Sequence, residues 1–167
     1  MTHRVPILDW RFLPDTSGNV VVEPYALSAV NDAWNPCIVK FADTATRIGL
    51  HGAFQVPKNY GATSAALIIE WTANASTGNV VWDFEYRAVG GDDTESLDLA
   101  TAQEALTSTD AAPTAVHQRL EKSVTLTAGN FTVDDCVEFI LYRDGTDAAD
   151  TMTAAALLFN LFFEYDD

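Results

Sequence analysis

The chain has 167 residues, enough for one domain whose core closes without disulfide or metal staples. Nine Lys and Arg stand against 24 Asp and Glu, a formal charge of −15 with an isoelectric point near 4.2. That balance excludes the phosphate-neutralising surface that nucleic acids require, and no run approaches the ~20 apolar residues of a membrane-spanning helix, so neither nucleic acid nor membrane is an expected partner.

The N-terminus, Met1-Thr2-His3-Arg4-Val5-Pro6, lacks the charged-then-apolar pattern of a secretory leader, and a chain made in the cytosol is expected. Cys37 and Cys136 then read as two buried, reduced thiols, one long-loop disulfide being the other reading. Val5 to Leu13 is apolar but broken by Pro6 and Asp9 and reads as an arm, whereas Asn19 to Glu23 before Pro24 is a short strand. Ala26 to Ala33 has room for two helical turns, bounded by Asn35-Pro36 because the residue before a proline is pushed out of the helical region. Residues 1–35 are thereby set apart from a β-sandwich domain over 36–167.

From Cys37 onward the pattern is a succession of strands. Ile38 to Ala42 is short, and Arg47 to Phe54 carries Ile48, Leu50 and Phe54 on one face, with Gly49 and Gly52 marking a bulge or a close approach by a neighbouring strand. Ala66 to Thr72 is β-rich. In Val80 to Val89, Trp82, Phe84 and Tyr86 alternate with Asp83, Glu85 and Arg87, the period of two of a half-buried strand. Asn74-Ala75-Ser76-Thr77-Gly78 between these two runs predicts a β-hairpin, around which the rest must pack.

Gly90 to Pro113 reads as a long surface excursion with a short helix through Ser96 to Leu106. Strand character resumes over Val116 to Thr127 and again over Val137 to Arg143. The last run, Ala154 to Tyr165, puts Leu157, Phe159, Leu161, Phe163 and Tyr165 on one face and Leu158, Asn160, Phe162 and Glu164 on the other. Its alanines and leucines also suit a helix, but the Phe and Tyr density favours a strand. These eight strands predict an all-β, two-sheet antiparallel sandwich of jelly-roll type.

Three stretches support a resemblance. Gln55-Val56-Pro57-Lys58-Asn59-Tyr60-Gly61, then Trp71-Thr72-Ala73 with Ser76 to Phe84, then Arg143 to Met152 follow one another in an order that resembles small virion-associated jelly-roll proteins of tailed bacteriophages, over about residues 37 to 165. The resemblance implies a non-enzymatic capsid decoration or cement protein in the virion, made in the host bacterial cytoplasm. It further implies the major capsid protein as partner, and residues 1–35 as an attachment segment whose contacts come from Trp10 and Phe12. Leu158 and Phe162, apolar on the second face of the last strand, read as contacts of a homo-oligomer, and the family favours a trimer. The alternative is a carbohydrate- or host-surface-binding module of a tail or fibre.

Residues that could carry chemistry are sparse. Asp83 and Glu85 lie ~6.6 Å apart along a strand, within reach of the carboxylate pairs of glycosidases, but such a row is also the solvated side of any half-buried strand. Asp144, Asp147 and Asp150 offer hard oxygen ligands for calcium without EF-hand spacing; an ordinary acidic loop is the reading adopted, with no metal or cofactor. His3, His51 and His117 lack paired zinc spacing, and no hydrolase elbow or phosphate loop is present. Trp10, Trp34, Trp71 and Trp82 are the candidates for a sugar-stacking platform. Trp82 reads as core, because Phe84 and Tyr86 share its face, which leaves Trp71 or Trp34.

Overall fold

The computed structural model describes residues 1–8, 13–14, 18–24, 37–91, 94, 96, 98 and 101–167. Among them are eleven strands: β1 (Thr2–Pro6), β2 (Leu13–Pro14), β3 (Val20–Pro24), β4 (Cys37–Phe41), β5 (Arg47–Gln55), β6 (Ala65–Ala73), β7 (Asn79–Val89), β8 (Glu104–Ala111), β9 (Leu120–Thr125), β10 (Cys136–Asp144) and β11 (Ala156–Asp166). A six-stranded sheet runs β3-β4-β11-β6-β9, with β1 also paired to β11, and a five-stranded sheet runs β2-β5-β10-β7-β8. Every pairing is antiparallel. The two-sheet antiparallel sandwich is therefore as the alternation predicts, with more strands than the eight read from sequence.

Alternation dictates the core. Leu67, Ile69, Trp71 and Ala73 of β6 face Val80, Trp82, Phe84 and Tyr86 of β7 inside one hydrophobic cluster. The Trp71 and Trp82 rings meet edge-on at 5.8 Å, a favoured aromatic geometry. Here the hairpin expectation fails. β6 pairs with β11 and β9, while β7 pairs with β10 and β8, so residues 74–78 carry the chain from one sheet to the other. Two adjacent runs each rich in large inward side chains gain more by stacking face to face across the core than by sharing one sheet face.

The helix expected through Ser96 to Leu106 is also corrected. β8 starts at Glu104 and pairs with β7 in register, Thr107 opposite Asp83 and Glu104 opposite Tyr86. Its burial alternates along its whole length, and Thr107 and Thr109 supply the β-branched character that the Ala and Leu of the run conceal. The helix expected at 26 to 33 lies outside the described residues. Within residues 1–35, β1 and β3 are strands of the six-stranded sheet and β2 an edge of the other.

The C-terminal run is a strand, but its faces are not those of strict alternation. The register of β11 against β6 slips between Leu158 and Asn160, a β-bulge that adds one residue. Parity flips there. Ala156 and Leu158 before the bulge join Leu161, Phe163 and Tyr165 after it in the core. Leu158, read as an oligomer contact, is fully buried within its own chain, and Phe162 is half-buried on the outer face, opposite Pro6 and Ile68.

Candidate functional site

The outer face of the five-stranded sheet gathers the groups that alternation turns away from the core. Registration sets Gly49 of β5, Tyr142 of β10, Asp83 of β7 and Thr107 of β8 in one row, with His51, Ile140, Glu85 and Ala105 in the next. Tyr142 lies over Gly49. A Cβ at that glycine would come within 2.7 Å of the ring carbons Cδ1 and Cε1, so the position needs a residue without a side chain.

Arg47, two residues before Gly49, places its guanidinium carbon 3.7 Å from the Tyr142 ring centroid, a cation–π contact. Its Nε donates to Asp83 Oδ2 at 2.9 Å and its Nη2 to Glu85 Oε1 at 2.6 Å. Thr107 Oγ1 donates to the other Asp83 oxygen at 2.6 Å. Partial burial works against the charge on Arg47, but Glu85 and Asp83 outweigh it and hold the guanidinium pKa above its ordinary value. The result is an aromatic ring held between fixed donors and acceptors on a rigid sheet.

Among the described residues, three aromatic side chains other than histidine are half-buried rather than buried: Tyr142 here, and Phe159 and Phe162 of β11. Only Tyr142 of these has charged partners at contact distance in a row of polar side chains. The indole platform is corrected accordingly. Trp71 and Trp82 are both core, and the Trp71 Nε1–H donates to Asp110 at 2.8 Å. Trp10, Phe12 and Trp34 lie outside the described residues.

The acidic loop after β10 is already occupied by its own contacts. Asp144 Oδ1 accepts from the backbone N–H and hydroxyl of Thr146 at 2.9 and 2.6 Å, and Asp147 Oδ1 from the N–H of Ala149 at 2.8 Å. Desolvation would raise the Asp144 pKa, but the Thr146 hydrogen bonds prevail and lower it. Asp150 accepts from Arg143, Oδ2 from Nε at 3.0 Å and Oδ1 from Nη2 at 2.8 Å. The rest of that guanidinium donates to the carbonyls of Ala42, Met152 and Ala154 and to Asp43. At Asp150 of this loop an arginine side chain, 1% exposed, supplies the positive charge that a calcium ion would bring. Among the described residues no group of three His, Cys, Asp or Glu is arranged to hold a metal.

Two further features lie away from this face. A cleft of about 470 Å³ by β6 and β9 of the six-stranded sheet is lined by Thr63, Ser64, Ala65, Ala66, Ser123, Thr125, Leu126, Ala128 and Glu164, a mixture of polar and apolar side chains without an aromatic ring. Cys37 and Cys136 are free and exposed, not buried as expected, each at an outward strand position.

No protein-family model and no curated protein matches this chain. Solved structures do match along its whole length. A family 35 carbohydrate binding module from Clostridium thermocellum superposes with a TM-score of 0.57 at 11% identity, covering 99% of each chain. The CBM35 from Cellvibrio japonicus Abf62 gives 0.56 at 7% identity, over 98% of this chain and 92% of that one. An exo-beta-agarase gives 0.56 at 10% identity, this chain corresponding to 25% of its length. At such identities the likeness shows the fold.

The phage resemblance is corrected by these matches, which are carbohydrate-binding modules and domains of carbohydrate-active enzymes and not virion proteins. With it fall the capsid-decoration function, the major capsid protein as partner, the homotrimer and the virion location. The stretches that carry the resemblance are structural segments of the sandwich: the end of β5 and the turn after it, the end of β6 with the first half of β7, and the end of β10 with its loop. What sequence reading missed was Arg47 and Tyr142. The available signal was Gly49 amid a strand, which reads as a bulge or a close approach by a neighbouring backbone, whereas the group that approaches is the Tyr142 ring.

Proposed function

We propose that this protein is a non-catalytic carbohydrate-binding module that presents the outer face of its five-stranded sheet to a glycan. The observation that carries the reading is Tyr142, seated over Gly49 and flanked by Arg47, Asp83, Glu85 and Thr107. A pyranose ring has an apolar face of C–H groups and a rim of hydroxyls. With the Arg47 guanidinium seated over one ring face, the part of the half-buried phenol left exposed meets the first, and the fixed donors and acceptors around it, the guanidinium edge included, hydrogen-bond the second. The full-length likeness to sandwich modules named for carbohydrate binding supports the same reading.

The carboxylates here serve binding rather than hydrolysis. Asp83 and Glu85 both accept from one guanidinium, which engages the pair in fixed hydrogen bonds on the sheet face. The test is affinity electrophoresis or depletion on agarose, β-1,4-galactan, β-mannan, cellulose and xylan. Wild-type protein should be retained by at least one of them, and Tyr142→Ala should lose about tenfold or more in affinity while keeping a cooperative unfolding transition and the β-type circular dichroism of the wild type. No retention on any of these polymers, or equal retention of the variant, overturns the proposal.

A further inference from the structure

Resting on that reading, we infer that the face selects electroneutral glycans and turns away uronate polymers. Among the described residues Arg47 is the cation nearest the ring, and it is over-neutralised, one guanidinium against the carboxylates of Asp83 and Glu85. Asp144 sits opposite it on β10. A second cation on the face among the described residues, Arg87, stands opposite Glu138 in register, and its Nη2 reaches away to the carbonyl of Ser96 at 2.6 Å. The chain as a whole carries −15.

A ligand carboxylate could pair with Arg47 only by displacing Asp83 or Glu85. That exchanges one carboxylate for another and leaves the displaced group without its counter-charge, Asp83 with a side chain only 11% exposed. A uronate polymer also brings a charge on every sugar into an acidic field that reaches about 8 Å at physiological salt. Hydroxyls meet neither penalty. They add donors to the Asp83 and Glu85 oxygens and acceptors to the guanidinium edge without breaking the pair.

The experiment compares each neutral polymer carrying a primary hydroxyl, namely β-1,4-galactan, β-mannan and soluble β-1,4-glucan, with its own C6-oxidised form, so that only the carboxylate differs. Binding is measured by titration calorimetry at 0.15 M NaCl. A neutral polymer should bind at least tenfold tighter than its oxidised counterpart, and the gap should shrink in 1 M NaCl. Glu85→Gln, a half-exposed and conservative change, should narrow the gap at low salt by strengthening binding of the oxidised form. Equal or tighter binding of an oxidised polymer by the wild type overturns the inference and leaves the carbohydrate-binding reading standing. Absence of binding to both forms of every polymer, together with no retention on agarose or xylan, removes that reading, and the inference with it.

Discussion

Arg143 and Arg47 make the same kind of contact, a guanidinium among carboxylates and strand-end groups, in two different dielectric settings. Arg143 is 1% exposed, its partner Asp150 2%, and its N–H groups are shared among the carbonyls of Ala42, Met152 and Ala154 and the Asp43 carboxylate besides. Arg47 is 34% exposed and holds Asp83 and Glu85 on an open sheet face. Period two separates them. Tyr142 and Arg143 are neighbours in sequence, so the ring points out toward Arg47 while the guanidinium points in. The buried centre fastens the loops before β5 and β11 to β10; the open one arranges polar atoms around a ring. Burial, not chemistry, decides which arginine is structural.

That comparison is broken or sharpened by substitution. Arg143→Met should be the most damaging, since it leaves Asp150 buried without a counter-charge and three carbonyls short of a donor. A loss of about 3–5 kcal/mol in denaturant unfolding is expected. Gly49→Ala comes next. Its Cβ would meet Tyr142 at 2.7 Å, and the expected outcome is a loss of about 1–3 kcal/mol together with weaker glycan binding as the ring is pushed off β5. Arg47→Met should cost less than Arg143→Met, about 1–3 kcal/mol, because the guanidinium is partly exposed and Asp83 keeps its bond from Thr107 although it is itself nearly buried, yet weaken binding severalfold. Equal destabilisation by Arg47→Met and Arg143→Met would dissolve the distinction between the two centres.

The smallest expected effect is in pH. At the other end of the sandwich Glu104 receives the hydroxyl of Tyr86 and both the hydroxyl and backbone N–H of Thr127. Desolvation would raise its pKa, but these donors lower it, and Arg119 and Asn160 do the same for Glu70. A carboxyl whose folded pKa is depressed stabilises the fold above its unfolded value, 4.5 here, and that contribution is lost as pH falls through the folded value. Stability should therefore decline below about pH 4.5, and Glu104→Gln should flatten part of that limb in acid unfolding followed by tryptophan fluorescence.

Much of the fold was legible because alternation is a local signal. Trp82, Phe84 and Tyr86 declared an inward face, and the Phe and Tyr density after Leu158 correctly favoured a strand over a helix. Pairing was less legible, since nothing within residues 64–91 states that β6 and β7 belong to opposite sheets. That depends on which strand each meets from elsewhere in the chain. A bulge is also silent: Leu157 and Leu158 exchange faces through one extra residue that composition does not mark. The binding face was the least legible, because it is assembled from β5, β7, β8 and β10 across a hundred residues. Asp83 and Glu85 were noticed for their spacing, but the guanidinium that gives them their role comes from another strand.

The central claim, that a glycan lies on the outer face of the five-stranded sheet over Tyr142, is tested most directly by titrating isotopically labelled protein with a neutral glycan and following backbone amide shifts. The account predicts changes concentrated at Arg47, Gly49, Asp83, Glu85, Thr107 and Tyr142, abolished by Tyr142→Ala. Shifts confined instead to the hydroxyl-lined cleft at Ser64, Ser123 and Thr125, or unchanged by that substitution, would contradict it.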